Sequence, residues 1–261
     1  VSKRLAMLGI AALALMLVTS GCARNVPAGS APVQEEKTQT IRATGTSLVV
    51  VQSDAGPITV AGGTGDITVR WQKRAPAKSD ATEMQVTAQT ASGTATIAYH
   101  NAGQTSANRS VAFDIRIPPG AKLQVQDNAG PVTVTGLEQG ADISTGGGAV
   151  TVKNVQGRLL ITSDGGDITV KDMDGAITAQ THGGNITVSG RLLGTNTLHT
   201  TAGNIDVTIS AGSNLAIAAA TSAGTIANDF GFGARGQIGD GSGGTLDLAT
   251  GAGNIAIHRA K

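Results

Sequence analysis

The chain has 261 residues, 37 of them glycine and only five aromatic: Trp71, Tyr99, Phe113, Phe230 and Phe232. A formal net charge of +1, with no basic stripe and no interleaved aromatics, argues against a nucleic-acid partner. A single cysteine, Cys22, excludes an intramolecular disulfide. Any core must come from Val, Ile, Leu and Ala meeting tight turns, which favours thin regular layers.

The opening "VSKRLAMLGIAALALMLVTSGC" has a basic start at Lys3 and Arg4, an apolar run from Leu5 to Val18 and a small-residue end, the pattern of a secretory signal over residues 1–21. Fourteen apolar residues fall short of the roughly 20 needed to span a bilayer as a helix. "TSGC" resembles the lipobox of bacterial lipoproteins, which implies lipid attachment at Cys22 after cleavage before it. Two or more acyl chains would anchor the protein stably, since each buried methylene contributes about 0.8 kcal/mol. Loss of Lys3 and Arg4 with the leader leaves 17 basic against 18 acidic side chains, a net charge of −1 that points to no electrostatic partner. Residues 22–40, polar and with two prolines, read as the lipidated cysteine and a flexible tether.

Residues 41–120 read as an N-terminal β section that caps the repeats after it: "LVVVQSDAGPITV" and "TGDITVRW" alternate, and "MQVTAQTASGTATIAYH" and "SVAFDIRIPPG" are longer alternating strands. From residue 121 to 261 the strand cores repeat. "GPVTV" at 130, "GAVTV" at 148, "GDITV" at 166 and "GNITV" at 184 are spaced by 18 residues, and "GNIDV" at 203 by 19. "GTIAN" at 224 and "GNIAI" at 253 drift to 21 and 29. Leu159 and Ile161, Ile168 and Val170, Ile177 and Ala179, and Ile186 and Val188 form apolar pairs every nine residues. Each 18-residue coil thus holds two strands of period two and one extra inward residue, Leu137, Val155, Met173 or Leu192. A fixed period over this length predicts an all-β fold, a right-handed parallel β-helix in which each coil buries its apolar edge against its neighbours.

The run "FDIRIPPGAKLQVQDNAGPVTV", with the glycine-strand coils after it and a closing "GTLDLATGAGNIAIHR", resembles a bacterial β-strand repeat family described as putative adhesins, from about residue 41 to the end. The resemblance implies an exported or membrane-tethered parallel β-helix, and with it a cell-envelope location, in the outer membrane of a Gram-negative host. It brings no catalytic residues.

Individual motifs favour structural roles. Asp164, Asp167, Asp172 and Asp174 do not recur in neighbouring coils as a calcium roll requires, and Ile168 and Val170 stand where such a roll needs Gly and Asp. "GFGARG" at 231–236 and "GAGNIA" at 251–256 have no helix after them to present to a phosphate. The four histidines are not at ligand spacing. An 18-residue coil leaves little loop for a polysaccharide-cleaving site, so the chain is expected not to be an enzyme and to use no cofactor or metal. Thr133, Thr151, Thr169 and Thr187 recur one coil apart on the outward face. The insertion 228–244 breaks the period, and within it Phe230, Phe232 and Arg235 are the candidate recognition residues, with an end plug as the competing role for the two rings. The function expected is structural or adhesive, with the membrane, a surface glycan or an envelope protein as partner. A polysaccharide-active enzyme and an envelope-stress accessory protein are the alternatives.

Overall fold

Alternating apolar residues between glycine corners produce 20 strands and one short helix in a computed structural model, which describes residues 32–63, 65–101 and 108–261. Signal segment and Cys22 lie outside the described residues. In chain order the elements are β1 (Val33–Ile41), β2 (Leu48–Ser53), β3 (Ile58–Gly62), β4 (Ile67–Ala75), α1 (Lys78–Glu83), β5 (Gln85–Ala91), β6 (Thr94–His100) and β7 (Ser110–Ile117). There follow β8 (Lys122–Asp127), β9 (Val132–Leu137), β10 (Ala141–Thr145), β11 (Val150–Ser163), β12 (Ile168–Thr181), β13 (Ile186–Leu192), β14 (Gly194–Ala202) and β15 (Ile205–Ile209). The last are β16 (Leu215–Ala223), β17 (Ile226–Asn228), β18 (Arg235–Ile238), β19 (Gly244–Ala252) and β20 (Ile255–Arg259). The fold is all-β: the strands join in one sheet that wraps, nearly closed and barrel-like, around a single aliphatic core. No helix among the described residues is long and apolar enough to cross a membrane.

Through the middle of the chain each strand pairs in parallel with the residues 18 positions on: Leu123 with Ala141, Ala141 with Leu159, Leu159 with Ile177. The second strand of each coil does the same, Val132 with Val150 and Val150 with Ile168. Inward aliphatics of successive coils therefore lie directly over one another, and Val150, Ile168 and Ile186 are all buried. Each such side chain contributes about 1.5–3 kcal/mol, so a coil is stable only between neighbours. Thr133, Thr151, Thr169 and Thr187 form the expected outward row, which Thr59 extends by one coil.

The corner after the first strand is a column of side chains turned inward. Along the stack it reads Tyr99, Ser53, Asp127, Thr145, Ser163, Thr181, Thr200, Thr250, Thr221. Hydroxyls of this column satisfy the corner backbone: Gly166 N donates to Ser163 Oγ at 2.9 Å, and Thr200 Oγ1 donates to the Gly184 carbonyl at 2.9 Å. Backbones pack closely here. A Cβ on Gly148 would stand 1.5 Å from the Gly130 carbonyl oxygen, which is why this position is glycine from Gly56 through the coils stacked after it, with Val111 in its place only in the coil β6–β7.

The column gives the order of the coils, and it departs from chain order at both ends. Coil β2–β3 lies between β6–β7 and β8–β9, and coil β19–β20 lies between β14–β15 and β16–β17. The expected boundary at residue 120 is therefore not a boundary in space, because residues 48–62 are flanked by coils from either side of it. The capping part is smaller than residues 41–120: β4 and β5 run antiparallel to β7 and β6, β1 pairs antiparallel with β4, and α1 closes the end. Arg109 ties α1 down through Asp80 and through Glu83 at 2.8 Å.

Two further expectations are corrected. Residues 33–40, read as the end of a tether, belong to β1 and pair with β4 from Val33 on. They are polar because β1 is an edge strand whose side chains are mostly solvated. Leu192 is buried, but it does not follow Met173 in the stack. A register shift after Val170 sets Gly190 opposite Met173 and Leu192 opposite Gly175. Coils ending at Val155 and Met173 turn on Asn154 and Asp172 with positive φ, and the next coil has one residue fewer at that corner.

Candidate recognition site at the end of the stack

The loop after β17 is organised by one side chain. Asn228 Oδ1 accepts from the Phe230 and Phe232 N–H groups at 3.0 and 3.4 Å, and its Nδ2 donates to the Phe232 carbonyl. The turn brings the two rings together, centroids 6.1 Å apart and nearly parallel. Phe232 lies against Gly236, where a Cβ would stand 2.2 Å from its ring. Both rings are half-buried and pack on the core.

Arg235 is not with them. It sits exposed on β18 opposite Ala218, beside a different shallow groove that includes His199 and Asp247. The cation that the structure adds is Arg259, whose guanidinium lies 4.9 Å from the Phe230 ring centre. Together Phe230, Arg259, Ile209, Asn214 and Ile238 line a cleft of about 430 Å³. Asp229 beside it accepts from the Arg259 N–H and lies 3.2 Å from His258 Nδ1, and these contacts hold its carboxyl below the usual range. Arg259 keeps the period-two spacing of buried Ile255 and Ile257 but, at the end of β20, is exposed.

A lateral groove of about 270 Å³ near the other end gathers Glu36, Arg70 and Asp114 over Trp71 and Phe113. It brings acids and a cation together as carbohydrate chemistry needs. Arg70 binds Glu36 at 2.7 Å and holds that carboxyl low, whereas a general acid needs its pKa raised toward neutrality. Among the described residues no cluster of three or more His, Cys, Asp or Glu side chains could hold a metal ion. Asp164, Asp167, Asp172 and Asp174 do not converge; Asp167 Oδ1 caps the Asn185 N–H at 2.7 Å, and Asp174 pairs with Arg191 at 2.7 Å.

The one carboxyl pushed strongly upward among the described residues is Asp127. It is 3% exposed, in the corner column where the other coils carry Ser or Thr and the first carries Tyr99, and neither oxygen has a hydrogen-bond donor in bonding geometry. Burial raises it to about 7, a weak contact with the Ser53 hydroxyl opposes this, and the charge of Asp54 adds to it. Ser53 instead directs its hydroxyl to the Ala55 carbonyl at 3.4 Å. Sequence reasoning passed over this residue although the signal was present: the corner phrases begin with Ser or Thr at 53, 145, 163, 181, 200, 221 and 250, and with Asp only at 127.

No protein-family model matches the chain, and no curated protein matches it. Among solved structures the chain is similar to a "putative cell adhesion protein" from Clostridium sporogenes, at 9% identity and a TM-score of 0.35 over 87% of this chain and 100% of that one. A "putative adhesin" from Bacteroides fragilis is 15% identical, with a TM-score of 0.40 over 87% and 97% of the two chains. A "putative lipid binding protein" from Parabacteroides distasonis is 11% identical, with a TM-score of 0.44 over the same shares. The description read from the sequence resemblance thus recurs among these neighbours.

Proposed function

We propose that the protein is a lipid-anchored, non-catalytic binding protein of the cell envelope, a right-handed parallel β-helix that carries its recognition site at its C-terminal coils. The observation that carries this reading is the half-exposed Phe230–Phe232 stack with Arg259 at the rim of the 430 Å³ cleft. Phe230 follows β17 of the last coil in the stack, and Arg259 ends β20 in the coil beneath it. Aromatic rings with one adjacent cation suit a glycan bearing acidic groups or an acidic envelope protein.

The test is attachment of the purified protein to a glycan array and to intact cells. Replacing both Phe230 and Phe232 by Ala should reduce attachment at least tenfold while costing only about 1–2 kcal/mol per ring, because each is half-buried. Unchanged attachment by a folded double variant would remove the site. Anchoring is tested separately: Cys22→Ser should release the protein from membranes without changing its melting, and retention of that variant after carbonate washing would count against lipidation.

A further inference from the structure

The C-terminal coil is an insertion. Strands β14–β15 are followed in the chain by β16–β17, yet among the described residues these two coils share no strand pairing. The link 210–214 between them skips one layer, a rise of about 9.6 Å that five residues easily span. The link is held by the coil beneath: Leu192 N donates to buried Ser213 Oγ at 3.0 Å, and Ser210 N donates to the Gly190 carbonyl at 2.9 Å. Residues 244–259 fill the layer that the link skips. At the other end coil β2–β3 is also flanked on both sides, but it precedes both neighbours in the chain and leaves no such gap.

The gap specifies what enters. Asn196, fully buried in its floor, accepts from Ile177 N at 3.0 Å and donates to the Thr245 carbonyl at 3.0 Å. Asn254 bridges both walls: its N–H donates to Asn204 Oδ1 at 2.8 Å, and its Oδ1 accepts from Thr225 N at 2.9 Å. Two corners admit only glycine. A Cβ on Gly244 would stand 1.9 Å from the Gly194 carbonyl oxygen, one on Gly253 2.1 Å from that of Gly203, and both residues have positive φ.

We propose that the gap between β14–β15 and β16–β17 is a strand-acceptor site, filled in the monomer by the chain's own residues 244–261 and able to take the same segment from a second copy. Strand pairing on both edges supplies the affinity, and the two glycine corners with the Asn254 bridge supply the register. The exposed stretch at 239–243 is the hinge that exchange between copies needs.

The experiment uses the full chain with a specific protease site placed between Gly239 and Gly243. After cleavage the C-terminal fragment should stay bound through gel filtration. Brief mild denaturation with excess fluorescent peptide 244–261 should then incorporate one peptide per protein, and the amides of 216–228 should lose and regain slow hydrogen exchange together with the fragment. A peptide carrying Gly253→Val should incorporate at least tenfold less, as should the normal peptide into an Asn196→Leu protein. Uncleaved chains of two isotopic masses, refolded together at high concentration, should yield mixed dimers. No incorporation, incorporation without protection of 216–228, or equal uptake of the Gly253→Val peptide would overturn the acceptor site, and monomers at every concentration would overturn exchange between copies.

Discussion

Asp127→Thr is expected to stabilise the protein by about 5 kcal/mol at pH 8 and by only about 1 kcal/mol near pH 3.5. The folded-state pKa of Asp127 is raised to about 7 from 3.8, so the folded protein holds a proton that the unfolded chain releases. Stability contributed by the protonated acid is full below the unfolded value, declines by about 1.4 kcal/mol for each pH unit from about 4 to about 7, and stays lost above that. Threonine removes the titrating group and restores the hydroxyl that Thr145 and Ser163 use toward Gly148 and Gly166, worth about 1 kcal/mol at any pH. The groups facing this position are Ser53 and Thr145 in the column, with Asp54 at the adjacent turn; Tyr99 lies one coil further. Urea unfolding of both proteins at pH 3.5, 5.5 and 8 measures the difference. A gain that does not grow with pH would show that the carboxyl is solvated or partnered in the folded protein.

Ile168→Asp should cost at least about 4 kcal/mol and Thr169→Asp less than about 1. Ile168 has no exposed surface, sits between Val150 and Ile186, and donates its N–H to the Asn185 carbonyl at 2.8 Å. A carboxyl there loses the aliphatic contact on both sides and gains no donor in exchange. That loss is comparable with the whole stability of many domains. Thr169, one residue on, is half-exposed in the outward row between Thr151 and Thr187, where a charge stays hydrated. Thermal melting of the two variants compares them directly, and equal losses would refute the inward phase assigned to Ile168.

Part of the candidate site was legible and part was not. Phe230 and Phe232 stood out because aromatics are scarce and the 228–244 stretch breaks the period. Arg235 shares that stretch, but β18 turns back antiparallel on β16 and carries it to another groove. Its place beside the rings is taken by Arg259, 29 residues from Phe230, which reaches them because the last coil is tucked beneath the coil of β17. Asp127 was visible as an exception within the corner phrases, yet only its burial makes it a titrating group near neutrality.

By itself the sequence determined the all-β class, the 18-residue coil, the inward phase of residues such as Val150, Ile168 and Ile186, and the glycine corners. These follow from local rules: a period-two pattern decides which face of a strand is buried, and a corner of closely packed backbones admits no Cβ. Tertiary structure alone decided the order of coils at the two ends, the ordering of β1 from Val33 and the slip that separates Leu192 from Met173. Each coil offers its neighbours the same backbone edge and a similar row of aliphatics, so local sequence does not distinguish residues 215–228 from 244–259 as the next layer. The choice rests on contacts made only after the chain has closed on itself: the fixed link at Ser213, the Asn196 floor and the Asn204–Asn254–Thr225 bridge.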